Sequence, residues 1–379
     1  MKYIKKSILE IKPYVPGASK TSGNAPVIKL SSNENALGCS AKAKDAYLKA
    51  SEQLFRYPDG ASNDLRLAIA KLNNLAADNI ICGAGSDEIF SMIISALTRE
   101  GDEIIYTEHG FLMYKIYALA NGVDAIAAKE KNLTASIANI LEKVTAKTRI
   151  VFIANPNNPT GSYLTRSELI DLREKLPEDI FLVIDGAYAE FADAEDYSSG
   201  LDLAKEYPNI IATRTFSKIY GLAALRLGWG YCKDEKIIDI LNRVRGPFNV
   251  TTAAQQAGIA AIKDQEFVES SRQHNQKWLA EFAKRLTLLG IKFYPSLGNF
   301  ILIEFSELKV VEVEKLLLEN NIIVSRVHER NDKHTATKEF QTNLPLLESF
   351  IDEMVCIPVG WWVTKEDRQY IVDVIKKGW

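Results

Sequence analysis

Between residues 79 and 232, short apolar runs alternate with helical stretches, and no other feature of the chain narrows its fold so far. The run NIICG (79–83) is followed by SDEIFSMIISALTRE, where Ile89, Phe90, Ile93, Ile94 and Leu97 recur at helical spacing. EIIY (103–106) precedes FLMYKIYALA, VDAIAA precedes SIANILEKV, and RIVFIA (149–154) precedes TRSELIDLREKL. IFLVID (180–185), NIIATRTF and LGWGYC complete the series. Runs of consecutive Ile and Val belong to strands covered on both faces. Seven such strands separated by helices predict an α/β fold with a mostly parallel sheet. Ligands of such sheets gather beyond the carboxyl ends of the strands. Gly85 and Ser86, Asn158 and Asp185 fall at such ends, and Ser86 and Asp87 suit the cap of the helix that follows.

At 379 residues the chain exceeds what one core usually covers. After a long helix over 251–285, interrupted near Lys263 and Asp264, the texture changes. KFYP, NFILIEF and NIIVSRV read as strands, with helices at VEKLLLEN and KEDRQYIVDVIKK. The expected division is an N-terminal arm (1–30) packing on a small domain, a large domain (31–284), and a small α+β domain (285–379). A net charge of −3 with no basic block argues against a nucleic-acid partner. No stretch approaches the roughly 20 apolar residues of a membrane span. The N-terminal MKYIKKSILEIKPYVPG has no apolar run of signal-peptide length. Cys39, Cys82, Cys232 and Cys356 form no CxxC pair, and the four histidines lack metal-ligand spacing. A cytoplasmic protein without a metal is expected.

Four elements carry chemistry. GAGSDE (83–88) sets small residues and a hydroxyl at a strand-to-helix turn, which suits a phosphate as well as a plain tight turn. NPNNPTG (155–161) is a polar loop stiffened by prolines, able to offer amide donors or simply to connect. VIDGAY (183–188) ends an apolar strand on Asp185, a carboxylate that needs an N–H or cationic partner. TFSKIYGLAALR (215–226) places Lys218 among apolar residues, with Thr215 and Ser217 beside it and Arg226 eight residues on. Burial lowers the pKa of a lysine and frees its amine for imine formation, and arginine matches the bidentate geometry of a phosphate.

In this order the four elements resemble fold-type I pyridoxal-phosphate enzymes, in particular the histidinol-phosphate aminotransferase family. PYVPG (13–17), KLSSNENALG (29–38), RYPDG (56–60), EHGFLMYKIYALA and RGPFNVTTAAQQAG (245–258) extend the likeness over roughly residues 10–305. The resemblance implies pyridoxal 5'-phosphate carried by Lys218 as a Schiff base, with Asp185 against the pyridine nitrogen. It implies Tyr188 and Asn158 on the ring oxygen and Phe111 on the ring face. Gly85, Ser86, Ser217 and Arg226 would hold the phosphate, with Asp87 closing the turn and Thr215 nearby. Tyr57 matches a residue that reaches the partner's site in a homodimer, and Tyr14 and Asn33 match pocket positions. Family members commonly carry another residue at Gly186.

The C-terminal part departs from the family pattern. Cys356, in VCIPVG, stands where an arginine grips the substrate's anion, and Ser325 meets a second arginine position, with Arg326 one residue later. Arg326 is a candidate substitute despite its offset, as are His328, Arg330, Lys333 and His334. The expected activity is transamination with glutamate and 2-oxoglutarate as donor pair, on a small phosphorylated ketone or hydroxyketone. The alternative is decarboxylation of a phosphorylated amino acid on the same scaffold.

Overall fold

The computed structural model describes residues 3–11, 27–305, 310–326 and 354–358. In chain order its strands are β1 (Ile28–Leu30), β2 (Ile80–Gly83), β3 (Glu103–Thr107), β4 (Asp124–Ala128), β5 (Thr148–Ala154) and β6 (Phe181–Asp185). β7 (Ile210–Thr215), β8 (Gly228–Tyr231), β9 (Lys292–Tyr294), β10 (Phe300–Glu304), β11 (Ile322–Arg326) and β12 (Met354–Pro358) follow.

The large sheet has the order β2-β8-β7-β6-β5-β3-β4. It is parallel apart from β8, which runs antiparallel between β2 and β7. An apolar run does not disclose its direction, so this reversal was not readable from LGWGYC. Strand residues divide by parity, as a two-layer cover requires. Val151 and Ile153 join one cluster with Leu182, Ile184, Ile210 and Ala212. Ile150 and Phe152 join another with Ile104, Val183 and Ile211. The helix Ser86–Leu97 closes the second cluster through Ile89, Phe90, Ile93 and Ile94.

The small sheet has the order β1-β11-β12-β10-β9, with β1 parallel to β11 and the other pairs antiparallel. Its faces have different duties. Ile301, Ile303, Ile322 and Val324 pack with Leu30, Leu286 and Leu317 in the small domain's own core. Phe300 and Leu302 pack into a cluster of the large sheet. The N-terminal segment divides: β1 enters the small sheet, whereas the helix Lys6–Glu10 lies against the helix Leu112–Asn121 of the large one. The long helix does break at Asp264, between Thr252–Lys263 and Gln265–Leu288, and Lys42 Nζ reaches the Asp264 carboxylate at 2.7 Å. Among the described residues no helix is long and apolar enough to cross a membrane. Tyr14, His328, Arg330, Lys333, His334 and the helix expected from KEDRQYIVDVIKK lie outside them.

Phe90 anchors this cover. It is fully buried and stands edge-on to Tyr114 at 5.1 Å and Phe152 at 5.9 Å. Phe90→Ala is expected to lower the unfolding free energy by about 3–5 kcal/mol in denaturant titration.

Candidate active site

The winding of the large sheet reverses between β3 and β5, which opens a crevice at the carboxyl ends. β3 runs into the loop before Phe111, β5 into 155–161, β6 ends on Asp185, and β7 leads to Lys218.

One corner of this edge is built almost without side chains. Gly83 and Thr215 both stand in register with Gly228, the first residue of reversed β8. A Cβ on Gly228 would lie 2.3 Å from the Ser86 nitrogen. The helix Ser86–Leu97 therefore begins pressed against strand backbone. Its N-cap is Gly85, at φ +84°, and no side chain caps it. This corrects the expected capping by Ser86 and Asp87. Ser86 is the first helical residue, while Asp87 accepts from Arg226 Nη2 at 2.8 Å. Arg226, itself at φ +50°, also donates to Ser217 Oγ at 3.3 Å. A Cβ on Gly85 would meet the Arg226 guanidinium at 2.5 Å. Helix amides, a hydroxyl and a guanidinium thus converge on one point, the donor set of a phosphate site. Burial pushes the pKa of Asp87 up, and the neighbouring Arg226 opposes that shift. Thr215 is spent locally, its Oγ1 accepting from the Ser217 amide at 3.1 Å.

At the other end of the crevice Asp185 is buried with neutral donors only. Tyr114 donates to Oδ2 at 2.7 Å, while the Ala187 amide and Thr213 donate to Oδ1 at 3.1 and 3.3 Å. Burial pushes its pKa up to about 6, against the pull of Tyr114. A carboxylate so placed is an acceptor for a cationic N–H. Tyr114 and Thr213 escaped the sequence reading. Tyr114 follows Phe111 by three residues, a spacing that brings the N-cap beside the first helical turn and was a usable signal. Phe111 lies 5.7 Å from the Tyr114 ring, edge to face.

Lys218 lies between these ends. Its Nζ stands 5.4 Å over the Tyr188 ring and donates to the Ser32 carbonyl at 3.2 Å. The Tyr188 hydroxyl accepts from Asn33 Nδ2 at 3.0 Å, so the sequence's pocket candidate Asn33 does meet the cluster. In the loop after β5, Asn155 is consumed by Leu164 and Ser198, and Asn157 donates to Thr160. Asn158 makes no side-chain hydrogen bond among the described residues, which leaves its amide for a ligand. Tyr57 is not part of the cluster in one chain. It is 82% exposed and stacks on Phe248 at 4.6 Å. Gly186 has a local reason: a Cβ there would strike the buried Arg214 guanidinium at 2.1 Å. Among the described residues no group of three metal-ligating side chains gathers.

The family model for aminotransferase class I and II matches residues 25–331. The chain belongs to the class I and II aminotransferases. These enzymes work with pyridoxal phosphate, and the buried carboxylate and the phosphate corner suit that group. The aminotransferase is 49% identical over 300 residues to a histidinol-phosphate aminotransferase of Maricaulis maris, covering 79% of this chain and 83% of that one. It is 48% identical over 298 residues to that of Paramagnetospirillum magneticum, covering 79% and 82%. Its fold is shared by the histidinol-phosphate aminotransferase of Sinorhizobium meliloti in complex with pyridoxal-5'-phosphate, with TM-score 0.84, 20% identity and coverage of 100% and 99%. L-threonine-O-3-phosphate decarboxylase of Porphyromonas gingivalis also shares it, with TM-score 0.74, 19% identity and coverage of 93% and 99%.

A second buried group ties the site's loops together. His109 Nδ1 lies 2.9 Å from the Glu130 carboxylate, and the His109 carbonyl accepts from Asn157 at 3.5 Å. Burial alone would lower the His109 pKa, but the bond and charge of Glu130 outweigh it and the net shift is upward. The charged pair therefore stabilises the fold at low pH and loses that contribution as pH rises through the raised pKa. His109→Gln should unfold at lower denaturant than the parent at pH 6, and the gap should close toward pH 9. At the phosphate corner, Gly228→Ala should weaken cofactor binding at least tenfold, measured by equilibrium titration, because backbone cannot yield to the new Cβ.

Proposed function

We propose that this aminotransferase moves an amino group from glutamate to a small phosphorylated ketone or hydroxyketone, with Lys218 as the residue that holds the cofactor. The observation that carries the reading is the placement of Lys218 Nζ over Tyr188, on the edge that also holds Asp185 and the turn at Gly85. The cofactor, when bound, supplies an electron sink for the carbon that bears the amino group. Gly85, Ser86, Ser217 and Arg226 would hold its phosphate. Asp185 would receive the ring nitrogen. Asn158 and Tyr188 would hold the ring oxygen, and Phe111 would pack on the ring. Lys218 Nζ takes and returns the substrate proton.

The acceptor is read from the small sheet. Leu302, Cys356 and Ser325 stand in register across β10, β12 and β11. Residues directly opposite share a face, and this is the face of Phe300, whose ring meets Tyr188 at 5.2 Å. The two positions where the family pattern has arginine are thus cross-strand neighbours, and here they hold serine and cysteine. A lost bidentate anion contact costs several kcal/mol unless replaced, which supports an acceptor other than the imidazole compound that names the relatives. Position 326 stands in register with Val355, which pairs with Ile303.

The exposed group of Leu54, Phe55, Tyr57 and Phe248 supports a homodimer in which Tyr57 serves the partner's site. A cytoplasmic location belongs to the same reading.

L-glutamate added to the yellow holoenzyme is expected to convert it to the pyridoxamine form and release 2-oxoglutarate. Borohydride should fix the cofactor to the parent and not to Lys218→Ala. Carbon dioxide release from a phosphorylated amino acid, with no response to glutamate, would give the site to decarboxylation.

A further inference from the structure

Asp185 has room for one more donor, and the bonds it already makes define where. Oδ1 accepts two donors, the Ala187 amide and Thr213, while Oδ2 accepts one, Tyr114. A carboxylate oxygen accommodates two donors, so the fourth position is on Oδ2, beside the Tyr114 hydroxyl. Tyr114 cannot drift from that place. Its ring stacks on Phe152 at 4.5 Å with 13° between planes, and Phe90 and Phe111 stand edge-on to it. It is fully buried, so no water competes for its hydroxyl.

We propose that Tyr114 is a positioning residue for the reaction, whose hydroxyl fixes Asp185 Oδ2 and keeps that carboxylate ionised toward the cofactor nitrogen. This rests on the cofactor assignment above. The physical reason is competition for a proton. Burial raises the proton affinity of Asp185, and the charge of Asp87 at the phosphate corner raises it further. A protonated Asp185 cannot accept from a cationic N–H. Tyr114, the Ala187 amide and Thr213 are the groups that oppose this. Tyr114 makes the shortest of the three bonds. Tyr197 also interacts with Asp185, Tyr188 interacts with Tyr114, and the cations Arg226 and Lys218 act on Asp87.

The test is a pH series on full-length Tyr114→Phe and its parent, read in two ways. One is the protonated-carboxyl infrared band of Asp185, assigned by its loss in Asp185→Asn. The other is the dissociation constant of pyridoxal phosphate. Phenylalanine keeps the ring packing and deletes only the donor. The infrared midpoint should move up by about one pH unit, and the acid-side loss of cofactor affinity should move with it. A folded variant with an unmoved infrared midpoint overturns the proposal. A moved midpoint with unmoved affinity overturns it too, while the cofactor assignment stands. If neither protein binds pyridoxal phosphate at any pH, the assignment fails and takes the proposal with it. If Tyr114→Phe does not fold, 3-fluorotyrosine at position 114 serves instead. Its more acidic hydroxyl should move both midpoints down, and no movement overturns the proposal.

Discussion

A carboxylate buried without a cation is the interaction on which the arrangement depends. Asp185 ends β6 among neutral donors, in surroundings that push its pKa up to about 6. Holding a charge there is costly, and the fold bears that cost by aiming a tyrosine, a threonine and an amide at it. Each donor comes from a different element: the helix Leu112–Asn121, β7, and the turn after β6. The carboxylate thus fixes the relative placement of three pieces of the large domain. What the pieces leave open is one acceptor position on Oδ2, which a cationic ring nitrogen suits.

Much of this was legible in the sequence because its causes are local. Consecutive Ile and Val could only be strands covered on both faces, and the parity of Ile150 through Ile153 shows the cover on each side. Asp185, Lys218 and Arg226 drew notice because each is a charged residue in or beside an apolar stretch. The rest was hidden where the cause is a neighbour distant in sequence. Tyr114 looks like any core aromatic until β6, 71 residues on, brings Asp185 to it. The direction of β8 depends on which strands flank it. Ser86 and Asp87 looked like caps because their side chains suit that role, but the positive φ at residue 85 and the Arg226 guanidinium against it leave room only for a glycine before them.

The departure from the family in the small sheet gained most from the fold. As sequence, Ser325 and Cys356 are two separate differences, 31 residues apart. In the sheet they are cross-strand partners. Two differences scattered along the chain are thus one place in the fold.

The reversed strand has an architectural consequence of its own. At a parallel strand's carboxyl end a loop must follow, and loops lengthen, shorten and bend as lineages diverge. β8 presents its incoming end to the same edge, so the wall behind the helix Ser86–Leu97 is pleated backbone held by partners on both sides. That corner has no slack to be edited. Diversity in this scaffold has to accumulate elsewhere along the rim, around an anchorage that stays the same whatever the neighbouring loops come to recognise.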